Sequence, residues 1–247
     1  MSDLEPIYRL WLREIIRYFR DKGRILSSLV QPILYLAIFG AGFGFIKLGG
    51  INFQTFLFPG IVAMSLTSIA ITSGISVIWD REFGFLKEIL VAPVSRTSIF
   101  VGKALGGCTT ALIQGLIVLC LSFVIGIPIS ISTFLIALPV MAIIALGVVS
   151  IGLIIAALIE TIENFGVIMN FLIFPLTFLS GALFPLATAP QWLKDVSYFD
   201  PLTYGVESMR QIIIGTAFIP FSISFTVLCG FSLALIVIGG VAFSKQQ

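Results

Sequence analysis

Apolar positions fall in six long runs, roughly Ile25–Ile46, Phe56–Ile78, Ala104–Ile127, Thr133–Ile159, Phe165–Phe184 and Ile219–Phe243. A helix needs about 20 apolar residues to cross a bilayer, and barrel strands are about half as long. Backbone polar groups in lipid must be satisfied within the spanning structure. Runs of this length therefore predict six transmembrane helices. Three segments between and before the runs carry a different pattern.

The first is residues 1–24. At 100° per residue, Arg9, Arg13, Arg17, Arg20 and Arg24 lie on one stripe about 80° wide, opposite Leu4, Ile7, Trp11, Ile15, Tyr18 and Phe19. The pattern predicts an amphipathic helix in the cytoplasmic interface, its arginines on anionic headgroups and its aromatics at the acyl boundary. It suits a plain anchor and equally a helix that also touches a cytosolic partner. The second is the loop 79–103. Phe83, Leu86 and Leu90 recur at helical spacing among charges, Pro93 ends the segment, and Ser95 can cap the third span. A short amphipathic helix is expected, resting on lipid or filling a groove of another protein. The third is 185–218, punctuated by Pro185, Pro190 and Pro201. Its helical stretches, around Trp192 and from Thr203 to about Ile214, are too short and polar to span and predict a helical hairpin dipping into the outer leaflet. Asp200 can cap the second stretch, with Pro201 in its first turn. Glu207 and Arg210, three apart, can pair there, as a surface ion pair of little energetic worth.

Composition sharpens this. Of 247 residues, 58% are hydrophobic and 11% charged, against about 25% charged in an ordinary soluble domain. A soluble enzyme and a nucleic-acid binder are excluded. Eleven of the 14 lysines and arginines flank one side of the spans, including Arg9 to Arg24, Arg81, Lys87, Arg96, Lys103 and Lys245; Lys47, Lys194 and Arg210 flank the other. By the positive-inside rule both termini are cytoplasmic. The arginine-rich start, with its first long apolar run only from Ile25, does not read as a cleavable leader.

Candidate chemistry is sparse. There is no histidine, so imidazole catalysis and imidazole–metal binding are excluded. Cys108, Cys120 and Cys229 lie in apolar runs without metal-site spacing and read as packing residues. No phosphate-binding Gly-x-x-x-x-Gly-Lys-Ser/Thr loop occurs. No acid or base stands in the middle of a span, where ion-coupled carriers need one. The polar residues within the runs, among them Gln31, Ser65, Ser68, Gln114 and Asn170, read mainly as helix–helix hydrogen-bonding groups, a minority as the lining of a route. Gly102-x-x-x-Gly106 permits a close helix approach. The residues alone describe a polytopic, transporter-like protein: a permease, an ATP-independent channel or carrier, or a membrane assembly scaffold.

Four places resemble the type 2 permease family of ABC transporters, which includes drug and polysaccharide exporters. They are Gln31-Pro32; Phe58-Pro59-Gly60-Ile61; Arg81-Glu82-x-Gly84 with Pro93-Val94-Ser95-Arg96 and Gly102-Lys103; and Leu179-Ser180-Gly181 leading through Ala189-Pro190 to Pro201-Leu202-Thr203-Tyr204 and Arg210. The chain departs from the pattern at Phe85 and Lys87. The resemblance implies an all-α membrane fold: an interface helix over 1–24, a six-span permease domain over 25–247, a coupling loop over 79–103 and an outer hairpin over 185–218. It implies pairing with a second copy and with a separate ATPase subunit that hydrolyses ATP with magnesium, this chain itself binding no cofactor. Arg81, Glu82, Phe83, Gly84, Leu86, Lys87, Leu90 and Pro93 are then the ATPase-coupling residues. Arg9, Trp11, Arg13, Arg17 and Arg20 mark the interface helix, and Pro201, Tyr204, Glu207 and Arg210 the hairpin signature. Export of an amphiphile through the plasma membrane is the function this implies.

Overall fold

Long apolar helices need few devices beyond their ends, and those devices are visible. A computed structural model describes residues 4–48, 50–83 and 95–244. The helices are α1 (Leu4–Arg20), α2 (Lys22–Phe43), α3 (Phe53–Thr72), α4 (Ile75–Glu82), α5 (Arg96–Ile125), α6 (Ile131–Leu158), α7 (Ile162–Leu179), α8 (Gln191–Ser197), α9 (Pro201–Ile214) and α10 (Phe221–Ser244). A two-residue antiparallel ladder, β1 (Lys47–Leu48) with β2 (Ile51–Asn52), closes the turn after α2. Asp21, Ser95, Ser130, Thr161 and Asp200 each accept an N–H of the first turn that follows, satisfying donors that a helix start leaves orphaned.

Six of these segments are long and apolar enough to cross a membrane: α2, α3 with α4, α5, α6, α7 and α10. The match to the six apolar runs is direct, with shifted edges. α5 begins at Arg96 rather than near Ala104, which brings Lys103 inside the helix. α7 ends at Leu179 rather than Phe184.

α3 and α6 form the centre, packing on each other and on α5, while α10 crosses α6 and α9. Lipid is as apolar as leucine, so close contact rather than water exclusion holds such helices together. The contacts run through glycines. A Cβ on Gly60 would lie 2.4 Å from the Ala182 carbonyl oxygen, and one on Gly152 would lie 2.5 Å from that of Ile71. α3 also satisfies its own hydroxyls: Ser65, Thr67, Ser68 and Thr72 donate to the carbonyls of Val62, Ala63, Met64 and Ser68.

Two expectations are corrected. α1 does not turn a uniform arginine stripe to headgroups. It packs along α5 through the glycine pair: Cβ atoms on Gly102 and Gly106 would sit 2.8 Å and 2.6 Å from the Cβ atoms of Leu10 and Glu14. Trp11 and Tyr18, read as acyl-boundary aromatics, donate to Thr109 and Gln114 of α5 at 3.0 and 3.2 Å. Nor do Glu207 and Arg210 lie at the surface, the place expected for an ion pair of little worth. Every residue of α9 from Leu202 to Arg210 is buried, because α9 packs on α3, α6 and α10.

Candidate functional site

Three polar places stand out in this apolar body. The first lies at the end that carries most of the positive charge. The apolar run of the second span does not stop helix formation at Ile78; the chain breaks at Ser73–Gly74 and resumes as α4. Arg81 donates to the Ile159 carbonyl at 2.8 Å, and Glu82 and Phe83 are exposed, Phe83 at 82%. Gly84, Leu86, Lys87, Leu90 and Pro93 lie outside the described residues, as does Phe85. Behind α4 is a buried charge cluster. Asp80 Oδ2 accepts from Lys103 Nζ and from Arg13, each at 2.6 Å. Lys103 also reaches Ser76 at 3.1 Å and Glu14 at 3.5 Å. The Arg13 guanidinium, which burial alone would pull down, is carried above its ordinary value by Asp80 and Glu14. Arg17 lies 4.3 Å over the Trp79 ring, Arg24 donates to Thr72, and Arg9 pairs with exposed Glu5; Arg20 is exposed. Sequence reading placed Arg13 and Lys103 among flanking charges. Their partner Asp80 is 67 and 23 residues away, and local spacing carries no signal for such pairs.

The second place is a notch of about 60 Å³ between α2 and α3, lined by Ser28, Gln31, Tyr35, Ser65 and Ser68 together with Pro32, Ile61, Met64 and Ile69. Gln31 falls near the middle of α2 and is exposed, its amide nitrogen donating to the Tyr35 hydroxyl at 3.2 Å. Ser65 and Ser68 spend their protons on their own helix, so their lone pairs face the notch as acceptors. Ser28 bonds buried Gln114, which Tyr18 also meets.

The third place surrounds α9. Glu207 and Arg210 pair as the spacing predicts, yet at 0% and 3% exposure they are core residues, not surface ones. The second Glu207 oxygen accepts the N–H groups of Phe218 and Ile219. Arg210 donates to the Gly181 carbonyl at 2.8 Å and stacks 4.2 Å from the Phe56 ring. One ion pair thus ties the turn before α8 and the turn after α9 to the same helix. Pro201 opens α9 behind its Asp200 cap, and Tyr204 donates to the Tyr198 carbonyl at 2.8 Å. Burial pushes the Asp200 carboxyl up to about 7, against a lowering by the Leu202 N–H it accepts.

Among the described residues no group of three or more Cys, Asp or Glu side chains is placed to hold a metal. The arrangement offers packing, a polar notch and a charge cluster. The family model described as "ABC-2 type transporter" matches residues 5–214. The chain belongs to the ABC-2 type transporter family. Relatives agree. A putative transport permease, ycf38, of Porphyra purpurea is 32% identical over 219 residues, covering 86% of this chain and 75% of that protein. The inner membrane transport permease YadH of Escherichia coli K12 is 27% identical, covering 93% and 91%. Nodulation protein J of Rhizobium leguminosarum bv. viciae is 28% identical, covering 89% and 86%. ABC-2 membership makes this a transport permease with several membrane-crossing helices.

Proposed function

We propose that the chain is the membrane half of an ATP-driven exporter in the plasma membrane, with both termini cytoplasmic. Two copies enclose the route, and a separate ATPase subunit hydrolyses ATP with magnesium. The observation that carries this beyond family membership is the exposed polarity of two thin outer helices. Gln31 on α2 and Asn170 on α7 are both exposed near mid-helix. An uncovered amide in hydrocarbon is unfavourable by several kcal/mol on the order of hydrogen-bond loss. A second copy and a polar cargo cover such faces; lipid does not.

The notch between α2 and α3 suits the uncharged polar part of an amphiphile: a drug, a lipid or a lipid-linked glycan. Its hydroxyls offer hydrogen-bonding groups, and among the described residues no charged side chain lines it. The distribution of lysine and arginine supports the orientation. Exposed Phe83, together with Leu86 and Leu90, is the contact to the ATPase, and Arg81, Glu82, Gly84, Lys87 and Pro93 set its register. α1, marked by Arg9, Trp11, Arg13, Arg17 and Arg20, flanks that contact against membrane lipids.

Reconstitution with the co-purified ATPase tests the reading. Amphiphiles should stimulate ATP hydrolysis and accumulate on the far side of the vesicle, and Leu86→Asp and Leu90→Asp should lose ATPase in a pull-down. Transport by the chain alone, without ATPase or ATP, sinks it.

A further inference from the structure

We propose that Asp80, Lys103 and Arg13 are positioning residues that lock α4, the first turns of α5 and α1 into one rigid lever pivoting at Ser73–Gly74. The proposal rests on the ATPase reading only for what the lever transmits; the lock itself stands on geometry.

Asp80 and Lys103 sit on the two stems that flank residues 84–94, one in α4 and one in the second turn of α5. Their ion pair at 2.6 Å joins the stems directly. Lys103 is 1% exposed, so water does not replace its carboxylate partners. A buried charge of this kind holds its counter-ion because separation leaves it unsolvated. Arg13, on the same Asp80 oxygen at 2.6 Å, adds α1 to the pair. Glu14, 3.5 Å from Lys103, joins the cluster, which among the described residues holds two cations and two anions. Arg17 over the Trp79 ring is a further tie between α1 and α4. α1 is in turn seated on α5 at Gly102 and Gly106, where a side chain would collide. α1, α4 and α5 are therefore fastened to one another by charge, ring stacking and backbone proximity.

The connection from this unit to the central helix α3 is of another kind. At Ser73–Gly74 the backbone switches to short i to i+3 bonds: Gly74 N–H to Ile71, Ser76 N–H to Ser73 and Val77 N–H to Gly74, at 3.0 to 3.2 Å. Such tightened turns within a helix mark hinges. The Ser73 hydroxyl also donates to the Ala70 carbonyl at 2.6 Å, competing with the regular ladder. At the same level Gly74 lies against Gly152 of α6, where a Cβ would be 2.4 Å from the Gly152 carbonyl oxygen. Two glycine backbones meeting at one point make a narrow pivot, with the tip of the Phe165 ring beside it, 3.1 Å from the same Cβ position. The Arg81 bond to the Ile159 carbonyl crosses from the lever to α6 and has to break when the lever turns.

The test uses the full chain with nitroxide labels on Tyr8→Cys in α1 and Phe83→Cys at the end of α4, both exposed sites, and pulsed distance measurement in lipid nanodiscs. The parent protein gives a single narrow distance peak. Lys103→Met loses that peak, and Lys103→Arg, which keeps the charge, retains it. Should Lys103→Met not fold, Asp80→Asn with Lys103→Met leaves neither a buried lysine nor its carboxylate charge, and it loses the narrow peak as well. An unchanged narrow peak in the double variant overturns the lock. A second arm adds the co-purified ATPase and compares the nucleotide-free state with the ATP–vanadate state. The Tyr8–Phe83 distance stays constant while the distance from Phe83 to Leu135→Cys, near the start of α6, shifts. If the Tyr8–Phe83 distance shifts as well, the rigid lever is wrong. If neither moves although the first arm holds, the ATP-driven reading fails and the lock survives.

Discussion

The Glu207–Arg210 pair allows the most quantitative prediction. Glu207→Gln keeps the shape of the side chain and an oxygen for the Phe218 and Ile219 N–H groups, but it strips Arg210 of its counter-charge. At 3% exposure Arg210 is left with the Gly181 carbonyl and the Phe56 ring as described partners. Removing one member of a buried pair costs about 3–5 kcal/mol. For a chain of this size each kcal/mol shifts Tm by roughly 2–4 °C, so the loss is roughly 6–20 °C. Arg210→Met acts from the other side, leaving the Glu207 carboxylate with two backbone donors. It additionally frees the Gly181 carbonyl, a penalty of about 1–3 kcal/mol. The double variant, Glu207→Gln with Arg210→Met, removes the charge altogether. It should fall only about 1–3 kcal/mol below the parent, less than Glu207→Gln alone. Thermal unfolding in mild detergent, followed by tryptophan fluorescence, measures all three. Single variants within about 2 °C of the parent, or a double variant equal to the sum of the singles, refute the claim that this pair is desolvated and energetically coupled.

Three further outcomes follow from the same geometry. Asp200 is held up to about 7 by burial, whereas an unfolded aspartate titrates near 3.9; because the folded state binds the extra proton, stability is full below about pH 4 and declines as pH rises towards 7. Denaturant unfolding at pH 4.5 and 7.5 should show this slope flattened in Asp200→Asn, which keeps the helix cap, and an equal slope in both proteins refutes it. Gly60→Ala should destabilise strongly, since its Cβ meets backbone at 2.4 Å, while Gly230→Ala on α10 meets nothing within 4 Å and should be neutral or slightly stabilising; equal melting temperatures would contradict the packing. Maleimide labelling of whole cells should modify Trp192→Cys from outside and Phe83→Cys only after permeabilisation, and the reverse pattern would invert the proposed orientation.

The spans were legible because an apolar run of 20 or more residues has one solution in lipid. What periodicity missed depends on distant partners. Hydropathy continues through the run Phe56–Ile78 and does not announce the break at Ser73–Gly74; the serine–glycine pair is a weak local signal, and its close neighbour Gly152 lies nearly 80 residues on. Ser95 was legible as the cap that opens α5, whereas the apolar run, read from Ala104, left Lys103 as a flanking charge until Asp80 is placed beside it. α1 was recognisable as a helix from its stripe, but its seat was written in Gly102 and Gly106 of another helix. Glu207 and Arg210 showed their pairing through a spacing of three, yet not their depth, because burial is decided by α3, α6 and α10 closing around them. Gly84, Leu86, Lys87, Leu90 and Pro93 lie outside the described residues, and the ATPase-coupling part proposed for them rests on the family resemblance and on the pattern of charge and bulk in the sequence.

The self-bonded hydroxyls of α3 bear on how the chain is made. Because α3 is second among the spans to be synthesised yet central in the finished bundle, it reaches the bilayer well before α6 and α10 exist to cover it. Serines and threonines already engaged with their own backbone present little unmet polarity to hydrocarbon during that wait. The helix that ends up innermost thus enters the bilayer with these hydroxyls already satisfied by its own backbone.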